Sequence, residues 1–183
     1  MRRCEWCEKD ELYRHYHDNE WGEANKSERE LFELVCLESM QAGLSWHIVL
    51  KKREALRAAF LGFEPEVVAK FSKAEVSRIM GIEGVIKHEA KVRACITNAQ
   101  CFLAVRAEFG SFWSYLLSFT PNNTPIINRY ERISDLPSKS EISIALAKDM
   151  KKRGFKFFGE VIAHSFLQAC GVLNEHLNYC YKA

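Results

Sequence analysis

No stretch of this 183-residue chain approaches the roughly 18 uncharged apolar residues that a membrane-spanning helix requires, so no membrane partner is expected. The first residues, Met1-Arg2-Arg3-Cys4-Glu5-Trp6, lack the apolar core of a secretory signal, and a cytoplasmic location is expected. Charge of one sign is scarce as well. Against 26 Lys+Arg stand 24 Asp+Glu, a net charge of +2. Composition therefore does not by itself predict a nucleic-acid partner. Internal repeats and low-complexity tracts are missing. The most loop-like segment, Pro121-Asn122-Asn123-Thr124-Pro125, is too short to divide the chain, so one domain spanning 1–183 is expected. Alternating strand-like runs between hairpin turns are missing too. With 48% hydrophobic residues the chain can bury a core, which excludes a disordered or collagen-like polymer.

What is present reads as helix. Ser27-Glu28-Arg29-Glu30 is a capping box, followed on one stripe by Leu31, Leu34, Val35, Glu38 and Ala42, with Gly43 as a stop. Ser45 caps a second helix to about Phe60, and Ser72-Lys73-Ala74-Glu75 opens a short one ending near Gly81. Val92, Cys95, Ile96, Ala99, Phe102, Leu103 and Arg106 keep helical period on a long segment. Two further helices are expected, from Glu141 to Arg153 with a stop at Gly154, and from Gly159 to Val172. The fold class is all-α.

Seven cysteines without an export signal point to reduced thiols, some of them able to bind metal. Cys4 and His17 lie near the start; His176 and Cys180, four apart, would face one way on a helical turn. Two thiolates and two imidazoles make a closed tetrahedral zinc site, structural rather than catalytic. Cys4-x-x-Cys7 is a competing pair, and scattered buried cysteines are the alternative. Glu38 sits on an apolar stripe near a helix's carboxyl end, two unfavourable settings for a carboxylate. Trp6, Tyr13, Tyr16, Trp21 and Trp46 crowd around it in sequence. They read either as core or as the walls of a pocket for a flat, cationic, donor-bearing ligand such as a modified purine. The turn Gly81-Ile82-Glu83-Gly84-Val85-Ile86, followed by Lys87, His88 and Lys91, could hold a phosphate through backbone amides, or serve only as a turn. The basic clusters Lys51-Lys52-Arg53 and Lys151-Lys152-Arg153-Gly154-Phe155-Lys156 are phosphate contacts or solvated helix ends.

Taken together, these blocks resemble the constitutive bacterial 3-methyladenine DNA glycosylases of type I. The landmarks are Cys4-x-Trp6, Tyr13-x-x-Tyr16-His17-Asp18-Asn19-Glu20-Trp21-Gly22 and Cys36-Leu37-Glu38-x-x-Gln41-Ala42-Gly43-Leu44-Ser45-Trp46. They continue through Gly84-Val85-Ile86-Lys87-His88, Lys91, Asn98-Ala99 and the Lys151–Phe157 run, and end with Gln168-Ala169-Cys170-Gly171-x-x-Asn174-x-His176.

The resemblance implies a helix-hairpin-helix glycosylase fold with one structural zinc on Cys4, His17, His176 and Cys180. It implies flipping of 3-methyladenine out of alkylated double-stranded DNA and cleavage of its N-glycosidic bond, leaving an abasic site without lyase activity. Glu38 would be the catalytic and base-recognising carboxylate, with Tyr16 and Trp46, and beside them Tyr13, Trp6 and Trp21, forming the base pocket. Leu44 beside Gly43 would be the wedge into the duplex, with Gly84, Lys87 and Lys91 on DNA, and the expected state is a monomer. No Asp occurs from Lys87 through Ser134, where wider relatives carry a catalytic one, which suits an already labile lesion. Glu89, Glu160 and His164 depart from the family pattern; the rival expectation is a zinc-stapled module that binds lesions without excising them.

Overall fold

The computed structural model describes residues 1–24 and 27–183, and among these the architecture is predominantly helical. In chain order the helices are α1 (Glu11–Asn19), α2 (Glu28–Gln41), α3 (Trp46–Lys51), α4 (Arg53–Ala59), α5 (Pro65–Val68), α6 (Lys73–Gly81), α7 (Glu89–Phe109), α8 (Phe112–Leu117), α9 (Glu141–Arg153) and α10 (Glu160–Ala169). The all-α expectation has one small exception. Strands β1 (Ile126–Ile127) and β2 (Leu173–Asn174) pair in parallel over two residues each, joining the segment after the Pro121 turn to the segment after α10.

The helix starts follow the caps. Ser27 with Glu30 and Ser72 with Glu75 form reciprocal capping boxes, and the Ser45 hydroxyl accepts from the Ile48 N–H. Gly154, at φ +102, ends α9 in the left-handed conformation that glycine adopts without steric cost. The helix expected from Ser45 to Phe60 is broken at Lys52 into α3 and α4. The helix around Val92 begins earlier, because the His88 ring accepts from the Lys91 N–H. The last one stops at Ala169, short of Val172, since Gly171 turns the chain at φ +76. A β-carbon on Gly171 would lie 2.6 Å from the Glu23 carbonyl carbon, so only glycine allows that strand of chain to cross so closely.

α2 is the axis of the molecule. Residues Leu31 through Met40 are all buried, and α7, α8 and α10 pack around them. A helix enclosed on every side has no polar face. The single stripe visible in the sequence is therefore only part of its contact surface, and two carboxylates, Glu33 and Glu38, are enclosed with it.

Candidate functional site

At the carboxyl end of α2 lies a cavity of about 210 Å³. Trp6 reaches it from a 3-10 turn, Tyr13 and Tyr16 from α1, Trp21 from the segment beyond, Glu38 from α2 and Trp46 from the first position of α3. The structure thus brings all six of these candidates to one place. Tyr16 and Trp46 lie with ring centres 5.6 Å apart at 52°, and Trp6 meets Trp21 edge-on at 5.1 Å. Gln41, Leu136, Ser165 and Gln168 complete the lining and were not assigned from sequence. Gln41 had a signal, being one turn beyond Glu38 on the same helix; Ser165 and Gln168 are likewise three apart on α10. Leu136 had none.

Among the described residues, three buried polar atoms around the cavity have no hydrogen-bond partner: Glu38 Oε2, Gln41 Oε1 and Trp46 Nε1. Each such atom costs about 1–3 kcal/mol unless a ligand or water satisfies it. The contrast with Glu33 on the same helix lies in the surrounding charge, since Glu33 Oε2 also lacks a hydrogen bond. Glu33 accepts from Arg53 Nε at 2.6 Å and Arg57 Nε at 2.7 Å, with Arg29 at 3.5 Å. Among the described residues Glu38, 2% exposed, has no such neutralising cation, and burial pushes its carboxyl well above the usual range. Tyr16 is also pushed up, by burial first and by the nearby Glu38 second. One buried carboxyl is neutralised by arginines; the other faces an opening.

The aromatic wall leans on a second cluster. Cys4, His17, His176 and Cys180 are buried, and their ligand atoms lie within 4.8 Å of one another. Cys4 Sγ is 3.7 Å from His176 Nδ1, Cys180 Sγ is 3.6 Å from the same atom, and Cys180 Sγ is 3.4 Å from His17 Nε2. Sulfur and nitrogen at ordinary zinc bond lengths on tetrahedral corners would stand about 3.6 Å apart, so the spacing fits a metal ion. The partner groups fit as well. His17 Nδ1 lies 2.8 Å from Asp18 Oδ1, and Asp18 in turn accepts from Arg3 Nε and Nη2 at 2.8–2.9 Å. Burial pulls His176 down to about 4, which favours the neutral ring that binds metal. Cys7 stands apart, its thiol donating to the Cys4 carbonyl at 3.1 Å. The helical turn expected for His176 and Cys180 is corrected: the segment is a non-helical turn, closed by Cys180 N–H to Leu177 O at 2.7 Å. Trp21 packs edge-on against His176 at 4.6 Å, and Trp6 lies 5.5 Å from His17.

The residues expected on DNA are placed unevenly. Leu44 is 36% exposed, following Gly43 at φ +77. Gly84 turns at φ +85 between α6 and α7, and its carbonyl accepts from Lys52 Nζ at 3.0 Å. Lys87 donates to the Met80 carbonyl at 2.5 Å and remains exposed. Lys91 is the correction. Its ammonium is buried and donates to the Met40 and Ala42 carbonyls at 2.9 and 2.5 Å, capping α2 from within rather than facing a phosphate. The departures do not line the cavity. Glu89 pairs with Arg93 and Glu160 with Lys139, each at 2.7 Å on the surface. His164 lies 3.2 Å from Glu175, which accepts from Gln168 Nε2 at 2.6 Å, so it reaches the cavity only through Gln168.

Known proteins share this arrangement over nearly the whole chain. The family described as methyladenine glycosylase matches residues 6–183. The chain is 44% identical over 180 residues to DNA-3-methyladenine glycosylase 1 of Escherichia coli (strain K12), covering 98% of this chain and 96% of that protein. It is 42% identical over 178 residues to DNA-3-methyladenine glycosylase of Haemophilus influenzae (strain ATCC 51907 / DSM 11121 / KW20 / Rd), covering 97% and 96%. A solved tyrosine-to-phenylalanine variant of 3-methyladenine DNA glycosylase I, in complex with 3-methyladenine, superposes with a TM-score of 0.94 at 38% identity, covering 100% of this chain and 97% of that one. Sequence and backbone agree from end to end, and the chain belongs to the methyladenine glycosylase family.

Proposed function

We propose that this protein excises 3-methyladenine from alkylated double-stranded DNA, with the cavity at the end of α2 receiving the flipped base. The observation that carries this reading is Glu38: a buried carboxyl with one unpartnered oxygen, in an aromatic-walled cavity of about 210 Å³. A buried carboxyl without a cation is unfavourable alone and favourable beside one. N3-methylated adenine is cationic while still joined to its sugar. Glu38 therefore recognises the charged base and its exocyclic amine, while the faces of Tyr16 and Trp46 supply stacking surface; Tyr13, Trp6 and Trp21 close the wall. In the reaction the C1′–N9 bond breaks with its electrons passing to the base, which leaves neutral. Water adds to C1′ and releases a proton, giving an abasic site. Hydrolysis without a lyase step is part of this proposal.

The Cys4, His17, His176 and Cys180 cluster fits one zinc ion, whose four positions would all be filled by protein. Its contribution is structural, holding the segments that carry Trp6, Tyr16 and Trp21. α6, the Gly84 turn and α7 are assigned as the helix-hairpin-helix element, which meets phosphates through backbone amides. Leu44, presented by Gly43, fills the gap left in the stack. The whole of 1–183 acts as one domain and as a monomer. Incubating the protein with methylated duplex DNA and measuring free base tests the reading: release of 3-methyladenine is expected. Tight binding without release would identify a lesion-binding module instead.

A further inference from the structure

Three phenylalanines follow one another closely after α9, and the structure treats them differently. Phe155 and Phe158 are 4% and 6% exposed and enter the core, against Phe112 and Phe166 respectively. Phe157 is 39% exposed and holds φ +54, a left-handed conformation that a bulky side chain rarely adopts. The segment is not loose. Lys156 N–H donates to Asn98 Oδ1 at 2.8 Å, while its carbonyl accepts from Asn98 Nδ2 at 3.2 Å and Ser39 Oγ at 3.4 Å. Cys101 Sγ adds a contact to the Arg153 carbonyl at 3.2 Å. A clasp from α7 and α2 thus holds the backbone while the neighbouring ring is turned outward. Leu61 shows the same combination elsewhere, at φ +51 and 54% exposed, so it is the place of Phe157 in the fold that assigns it a role.

The place supports a role on the duplex. The Phe157 ring stands 6.0 Å from His88, which caps α7 directly after the Gly84 turn. Ser39 and Asn98 belong to the same α2–α7 seam that Lys91 locks by capping Met40 and Ala42, immediately before Gly43 and Leu44. Leu44 and Phe157 are therefore exposed apolar groups on two segments anchored to one seam. Around the second, Arg153 is taken up by Glu108 and Asp149, whereas Lys151, Lys152 and Lys156 are exposed.

The geometry points to Phe157 as a second apolar contact to double-stranded DNA, its ring stacking on a base at the stretch opened beside the flipped nucleotide. This rests on the base-excision reading above. Phe157→Ala, Phe157→Gly and Phe157→Trp should be compared with the wild-type protein for binding of methylated duplex, kcat/KM of base release, binding of free 3-methyladenine and melting temperature. Loss of a stacked base weakens affinity by about tenfold or more. That loss is expected in duplex binding and kcat/KM for the alanine and glycine variants, with free-base binding unchanged and the tryptophan variant near wild type. Glycine accepts φ +54, so Phe157→Gly should melt no lower than Phe157→Ala. Duplex binding and excision at wild-type levels in the alanine variant would overturn the proposal. So would a parallel loss of free-base binding, or a marked drop in melting temperature in both small variants, which would make the ring a structural anchor. If the wild type releases no base, the excision reading fails by itself, while duplex binding still reports on Phe157.

Discussion

Glu38 carries the clearest consequence at the scale of a single residue. Its carboxyl is raised in the folded protein, so between the unfolded pKa and the folded one the native state binds more protons than the unfolded chain. Stability contributed by the neutral carboxyl is present at low pH and is lost as pH rises past about 4.3, the ordinary Glu value, toward the raised one. Glu38→Gln keeps the shape without the titration. Its melting temperature should rise relative to wild type as pH increases from about 5 to 8, and equal pH profiles would show that Glu38 is not held protonated. Glu38→Ala should abolish most free 3-methyladenine binding, by calorimetry, while leaving melting and DNA affinity nearly unchanged. Unaltered base binding would make the carboxyl structural. The sequence showed that Glu38 was costly, from its place on a stripe. It did not show that Glu33 was equally buried, because the two arginines that hydrogen-bond Glu33 come from α4, 20 and 24 residues away.

At the scale of elements, that arginine cluster joins α2 to α4. Arg53 also donates to Glu20 at 2.6 Å and is only 12% exposed. Removing the acid would leave a largely buried guanidinium without its main partner. Glu33→Ala should cost about 3 kcal/mol in urea unfolding, and a loss below about 1 kcal/mol would mean that water replaces the carboxylate easily. Helices announced by local chemistry were legible: both capping boxes and the Gly154 stop rest on residues within four positions of each other. The short α1, capped by Asp10, and α8, capped by Ser111, were passed over because neither carries a Glu or Gln three residues after its cap to complete a capping box. Lys91 was misread for a different reason. Its position just after a glycine turn suggests a phosphate contact, whereas the α2 carbonyls that capture it lie about 50 residues earlier in the chain.

At the scale of the whole molecule, the Cys/His cluster links the two ends of the sequence. A metal that binds only the folded arrangement stabilises it by an amount that grows with the logarithm of its concentration over its dissociation constant. Chelation, or Cys4→Ser, should lower the melting temperature and change the emission of Trp6 and Trp21, which pack against His17 and His176. An absence of zinc in elemental analysis of freshly purified protein would remove the ion from the account. If DNA is held through its phosphates as proposed, the logarithm of affinity should fall linearly with the logarithm of salt; a flat response would place the DNA face elsewhere. The cluster also orders events in time. Synthesis delivers Cys4 and His17 first and His176 and Cys180 last, with Cys4 and its neighbour His176 separated by 172 in the sequence. A growing chain cannot enclose α2 until α10 has emerged, and Trp21 gains its contact with His176 only after that. On the proposed reading the wall of the base pocket is therefore completed last, when the segment carrying His176 and Cys180 reaches the one carrying Cys4 and His17.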